Sequence, residues 1–159
     1  MEGRTRSETH VEGILNDVDS LIETLESLDL RYADFIVAGS APLLVHGLRS
    51  SIQDVDIVAR GPEWDKVEAR YEVTRAPYEE VLVAHFFHRG VSIEILNGWF
   101  PVTLGWDVDH LIKKADVVRG VNFLPLDLTL VWKKALGRDK DLDDIRELEA
   151  FLHAGNGRP

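Results

Sequence analysis

The sequence has no cysteine in its 159 residues, which removes disulfides and thiolate-bound metals from the chemistry open to it. It also lacks any run of the ~18 apolar residues that a membrane-spanning helix needs. Its first residues, MEGRTRSETHVEG, carry no apolar core of the signal-peptide type. The expected location is therefore the cytoplasm, with no membrane partner. Positive charge is scarce: 18 Lys and Arg stand against 28 Asp and Glu, for a formal net charge of −10. That balance opposes non-specific binding to duplex nucleic acid, which relies on basic side chains releasing counterions. No repeat, low-complexity segment or long linker interrupts the chain, so one domain over 1–159 is expected. Apolar residues at 45% and charged residues at 29% are ordinary for a folded protein, and the length suffices for a real core. It does not suffice for a catalytic module plus a large substrate module, so a bulky substrate would need a protein partner or a second copy of the chain.

What is present concentrates in Phe35 to Val58. Phe35-Ile36-Val37-Ala38 reads as a buried strand, and Gly39-Ser40 ends it in a turn whose glycine lets the backbone approach a ligand closely. Ser40 sits where a helix N-cap belongs, Pro42 is tolerated in a first turn, and Gly47 after Leu43-Leu44-Val45-His46 supplies a stop. Such a turn aims a helix N-terminus, an anion site, above the strand ends. The stretch closes on a second strand in which Asp54 and Asp56, two apart, share one face while Val55 and Ile57 face the core. Two carboxylates about 7 Å apart along a strand repel unless a cation lies between them. Magnesium suits the pair, because it takes one or two protein carboxylates and completes its shell with water and phosphate oxygens. A phosphate-binding turn followed by a magnesium-binding pair points to a nucleoside triphosphate.

Gly39-Ser40, His46-Gly47-Leu48-Arg49 and Asp54-Val55-Asp56-Ile57 together resemble the signature of the DNA polymerase beta-type nucleotidyltransferase superfamily, especially small bacterial and archaeal members related to abortive-infection toxins. Leu130-Val131-Trp132-Lys133, Gly137-Arg138, Lys140-Asp141 and Asp144 extend the resemblance, which covers roughly Phe35 to Leu152. It implies an α/β fold with a central mixed sheet flanked by helices and closed by a C-terminal helical hairpin. It further implies catalytic and metal-binding roles for Asp54 and Asp56 and for a third carboxylate in the segment that holds Glu94. The family usually carries aspartate there, so this sequence departs from the pattern by one methylene. Nucleotide-binding roles are implied for Gly39, Ser40, Lys133, Arg138 and Lys140.

The rest of the chain arranges itself around that centre. Apolar residues from Val11 to Leu28 recur at three- and four-residue steps, predicting an amphipathic helix over about 8–30 that covers one side of the sheet. Gly61-Pro62 breaks a strand, and Glu63 to Tyr71 reads as a helix with Trp64 and Val67 inside. Val81 to Phe87 and Val91 to Leu96 read as two strands joined by a tight turn at Arg89-Gly90. Glu94 faces away from Ile93 and Ile95 there. His85 and His88, three apart on a strand, point to opposite faces and so exclude a shared zinc site. Trp99 and Trp106 flank Phe100-Pro101 and are either core or the edge of a base pocket. Asp107 to Ala115 can form a helix, Val117-Val118 and Val121 to Leu124 a short strand pair around Arg119-Gly120, and the core ends near residue 124. Leu126 to Leu136 and Leu142 to Leu152 form a helical hairpin over about 126–153, and His153 to Pro159 a tail.

Lys133, Lys134, Arg138 and Lys140 are the one concentration of positive charge. They are either a solvated hairpin tip or the cations that meet a triphosphate, with Asp141 and Asp144 orienting them. The expected function is magnesium-dependent transfer of a nucleoside monophosphate from a triphosphate to a hydroxyl, with release of pyrophosphate. The acceptor is an RNA end, a protein hydroxyl or a small molecule, and the resemblance adds a toxin-type role. The alternative is a relative that kept the fold and lost turnover, acting as a nucleotide-binding or protein-interaction module.

Overall fold

The computed structural model describes residues 13–77 and 79–156. Among them, seven strands form one mixed sheet: β1 (Phe35–Ala38), β2 (Asp54–Ala59), β3 (Thr74–Arg75), β4 (Leu82–His88), β5 (Val91–Leu96), β6 (Asp116–Val118) and β7 (Val121–Phe123), in the order β3-β4-β5-β2-β1-β7-β6. Helices α1 (Val18–Ser27), α2 (Ala41–Val45), α3 (Gly61–Arg70), α4 (Val108–Lys113), α5 (Leu126–Leu136) and α6 (Leu142–Asn156) flank it. The class is α/β, as the sequence implied.

Strand alternation divides the core in two. Val37, Val55, Ile57, Ile93 and Ile95 join Leu21 and Leu25 of α1 and Trp64 and Val67 of α3 in one cluster. Ile36, Ala38, Val58 and Leu96 look the other way, onto Leu111 of α4, Trp132 of α5 and the Trp99–Phe100 loop. Strand β2 thus changes character along its length: on the second face, exposed Asp54 gives way to half-buried Asp56 and then to buried Val58. Polar ends of the strands therefore stand where the α4–α5 layer stops covering the sheet.

The tight turns fall where the sequence places them. Arg89-Gly90 and Arg119-Gly120 each adopt positive φ at both residues, the combination that joins strands through a two-residue loop. Four boundaries differ from expectation. Helix α1 begins at Val18 and not near Glu8. Gly13 has a φ of +89°, Leu15 exchanges two backbone hydrogen bonds of 2.9 Å with Ile52, and Asp17 caps the helix by accepting from the Ser20 N–H at 2.7 Å. Ile14 and Leu15 fit the helical period but precede the cap; Glu8 to Val11 lie outside the described residues. Gly61 and Pro62 open α3 instead of merely ending β2, since proline loses nothing in a first turn. Helix α6 continues through His153 to Asn156, where a tail was expected, and Gly157 to Pro159 lie outside the described residues. The edge strand β3 had no counterpart in the expectation, because two exposed polar residues carry no periodic signal.

Candidate active site

The order β5-β2-β1 sets three functional stretches side by side. Asp56 of β2 pairs in register with Ala38 of β1 on one flank and Glu94 of β5 on the other, and Asp54 pairs with Ser92. Gly39 follows Ala38 directly, with a φ of +67°. A β-carbon built on Gly39 would collide with the Asp56 carboxylate, so this position excludes side chains both by backbone conformation and by the approach of that carboxylate. Ser40 occupies the N-cap position of α2, but its hydroxyl makes no capping bond. It accepts instead from Arg49 Nη1 at 2.9 Å.

Asp54, Asp56 and Glu94 share one sheet face, and no cation bonds any of them among the described residues. Burial pushes the Asp56 carboxyl up to about 7 from an ordinary 3.8, with the Glu94 and Asp54 charges and a hydrogen bond to Glu94 adding to the rise, while Arg138 opposes it. Near neutral pH the Asp56 carboxyl is therefore still partly protonated. The donor set is all oxygen and suits a hard cation. Among the described residues, no three His, Asp or Glu side chains already converge as a ready-made metal site. Magnesium does not require that, since two carboxylates with water and phosphate oxygens complete its shell. Asp54 and Asp56 fit such an ion, with Glu94 beside them.

Facing the carboxylates is a cationic wall from α5 and the connection to α6. Trp132 and Lys133 share the inner face of α5, and Gly137, in the left-handed region at φ +62°, ends that helix. The Lys133 side chain is 1% exposed, and its Nζ lies 3.1 Å from Asp141 Oδ1 and 3.3 Å from Asp144 Oδ2. Arg138 Nε donates to Asp141 Oδ2 at 2.6 Å. Burial pushes the Asp141 carboxyl up, but the bonds from Arg138 and Lys133 outweigh it and hold this group below the usual carboxylate range. Lys140 is exposed and has no carboxylate partner among the described residues.

One cleft of about 900 Å³ joins floor and wall, and all eight residues expected in the site from the sequence line it: Gly39, Ser40, Asp54, Asp56, Glu94, Lys133, Arg138 and Lys140. The structure thus brings together residues as far apart in sequence as Gly39 and Lys140. His85 and His88 stay apart as expected, the first against Ser92 Oγ at 2.9 Å and the second 3.4 Å from Ser27 Oγ. His46 pairs with Asp116 at 3.1 Å, away from the cleft. Trp99 is buried and also borders the cleft, whereas Trp106 packs against the core without lining it.

Two charged cleft residues, Arg49 and Glu79, have no site role in the sequence reading, although Arg49 stands in the signature run. Arg49 lies in the loop after α2, and its place four residues past Val45 in the His46-Gly47-Leu48-Arg49 run was the available signal. Glu79 had none. It sits at a φ of +62° and accepts from the Val102 and Thr103 backbone N–H groups, at 2.8 and 3.0 Å, and from the Thr103 hydroxyl. It is a strut tying two loops at the rim. Burial pushes its carboxyl up, and these three bonds hold it below its ordinary range.

Compared with protein-family models, with curated proteins and with solved structures, the chain finds no match.

Proposed function

We propose that the protein is a nucleotidyltransferase that moves a nucleoside monophosphate from a triphosphate to a hydroxyl acceptor. The observation that carries this reading is the register of β1, β2 and β5, which sets the Gly39-Ser40 turn against Asp56 and Asp56 against Glu94, under a basic wall. In this reading Asp54 and Asp56 hold magnesium. Bound there, the ion would neutralise phosphate charge and favour ionisation of the attacking hydroxyl. The acceptor oxygen forms a bond to the α-phosphorus, the bond from that phosphorus to pyrophosphate breaks, and Glu94 takes the hydroxyl proton. Ser40 donates to a phosphate oxygen, while Arg138 and Lys140 offset the charge of the leaving pyrophosphate.

The test is calorimetric titration of nucleoside triphosphates with and without magnesium, joined to a pyrophosphate-release assay over candidate acceptors. Wild type should bind triphosphate only with magnesium. Asp54→Asn and Asp56→Asn should each remove that binding while the metal-free protein stays folded. Glu94→Gln should leave binding nearly unchanged and cut transfer by two or more orders of magnitude, about what losing a general base costs. Triphosphate binding that is indifferent to magnesium and to both aspartates would sink the reading. Tight, magnesium-dependent binding without transfer to any acceptor would favour the non-catalytic relative, and Glu94→Asp should then restore pyrophosphate release.

A further inference from the structure

Which cation is free to meet a phosphate is decided by the bonds already made on the cleft wall. Lys133 is 1% exposed and is held by two carboxylates, so its charge is answered within the protein. Arg49 differs in each respect. It is 41% exposed, it lines the same cleft, and both of its bonds leave from one nitrogen: Nη1 donates to Ser40 Oγ at 2.9 Å and to Asp144 Oδ2 at 3.0 Å. A guanidinium has five N–H donors in a rigid plane. Two are taken, and the Nη2 and Nε edge makes no bond among the described residues. The plane is pinned without being used up.

Pinning also fixes Ser40. Because its oxygen accepts from Arg49, its own hydroxyl proton is left to point at another acceptor. Asp144 Oδ2 serves Lys133 and Arg49 together, so a line of side chains runs from Ser40 through Arg49, Asp144, Lys133 and Asp141 to Arg138. Helix α2 is only five residues long, so its N-terminus is a weak anion site compared with a fixed guanidinium edge.

We propose that Arg49 is a phosphate-binding residue of this cleft, offering its Nη2 and Nε edge to the terminal phosphate of a polyphosphate chain, while Ser40 and Asp144 hold the guanidinium plane in place. Lys133 acts through Asp144 as a positioning residue. The inference builds on the reading of the cleft as a triphosphate site, but it concerns the polyphosphate alone and makes no use of base, acceptor or transfer.

Inorganic tripolyphosphate in the presence of magnesium is the probe, titrated calorimetrically into wild type, Arg49→Gln, Arg49→Lys and Asp144→Asn, with thermal melting of each protein. Arg49→Gln should bind at least about tenfold more weakly, the loss expected for charge-assisted hydrogen bonds. Its melting temperature should stay close to wild type, because Asp144 keeps Lys133. Arg49→Lys should recover only part of the affinity, since an ammonium cannot keep Ser40, Asp144 and a phosphate as a planar fork can. Asp144→Asn should weaken binding with Arg49 still present. Equal affinity in wild type and Arg49→Gln would overturn the inference and leave the nucleotidyltransferase reading standing. Arg49-dependent binding of tripolyphosphate in a protein that transfers no nucleotide would do the reverse. A wild type that binds neither tripolyphosphate nor magnesium triphosphate would overturn both.

Discussion

On the sheet, Asp54, Asp56 and Glu94 stand together with no cation bonded to any of them among the described residues, and Asp56 is driven up to about 7. On the hairpin opposite, Asp141 and Asp144 are also two carboxylates of one cluster, yet Lys133, Arg138 and Arg49 all bond to them. Burial penalises both groups. The hairpin offsets the penalty with internal partners, while on the sheet Asp56 keeps its proton to higher pH. The difference separates two arrangements of charge in one cleft: the hairpin cluster is finished structure, its carboxylates paired with cations of the protein, whereas among the described residues the sheet carboxylates have no such pairing.

The largest effect should come from breaking the finished cluster. Lys133→Met leaves Asp141 buried with Arg138 alone and Asp144 with Arg49 alone. It should cost about 3–5 kcal/mol of folding stability, as removal of one partner from a buried ion pair does. Urea unfolding measures it. Adding Asp141→Asn to Lys133→Met should recover part of the loss, because the stranded charge is then gone. A Lys133→Met protein as stable as wild type would erase the contrast between wall and floor.

The opposite sign is expected on the sheet. Asp56 has a folded pKa of about 7 against an ordinary 3.8, so between those values the folded protein binds the extra proton, and stability falls as pH rises through that window. Metal-free wild type should therefore melt higher at pH 5.5 than at pH 8. A tenfold difference in proton affinity between the folded and unfolded chain corresponds to about 1.4 kcal/mol, so Asp56→Asn should stabilise the metal-free protein by on the order of 2 kcal/mol at pH 8. Most of that gain should vanish at pH 5. Below about pH 4 the trend should reverse in wild type, since Asp141 is held low and loses its ion pairs once protonated. Melting curves in a chelator across pH 3.5–8.5 give all three comparisons. A flat profile from pH 5 to 8 would mean that the sheet carboxylates are solvated well enough to need no partner.

How much of this was legible in the sequence follows from the range of the interactions involved. Strand β1, the two Arg-Gly turns and helix α5 rest on patterns that repeat within a few residues, and they appear where the residues put them. The grouping of Asp54 and Asp56 with Glu94 was half legible: alternation gave the shared face of β2, but only the parallel pairing of β2 with β5 sets Glu94 opposite Asp56. Lys133 shows the limit. By residue type it belongs with Lys134 in solvent. Helical spacing from Thr129 and beside Trp132 puts it inside, and the carboxylates that make burial tolerable lie 8 and 11 residues further on, across a turn. Arg49 meets Asp144 across 95 residues, a contact that no local pattern encodes. The start of α1 erred for a related reason: Leu15 is apolar because its side chain is buried in the same core cluster as Ile52, and its position mimics the helical period.

The smallest effect should come from Lys140, the wall residue that resembles neither cluster. It is exposed, lines the cleft and has no carboxylate partner among the described residues, so its removal strands no buried charge. Lys140→Ala should leave the melting temperature within a degree or so of wild type, in contrast to Lys133→Met. If the wall meets a polyphosphate, the variant should bind magnesium triphosphate about two- to fivefold more weakly, the range of an exposed ion pair. The loss should be greater for triphosphate than for monophosphate and should fade as salt rises, because a contact at this exposure is screened. Calorimetric titration of both ligands at low and high salt separates the cases. A salt-sensitive loss confined to the triphosphate would place the polyphosphate chain along the hairpin. Equal losses for both ligands, or none, would make Lys140 a solvated tip and leave Arg138 and Arg49 as the cations that face the carboxylate floor.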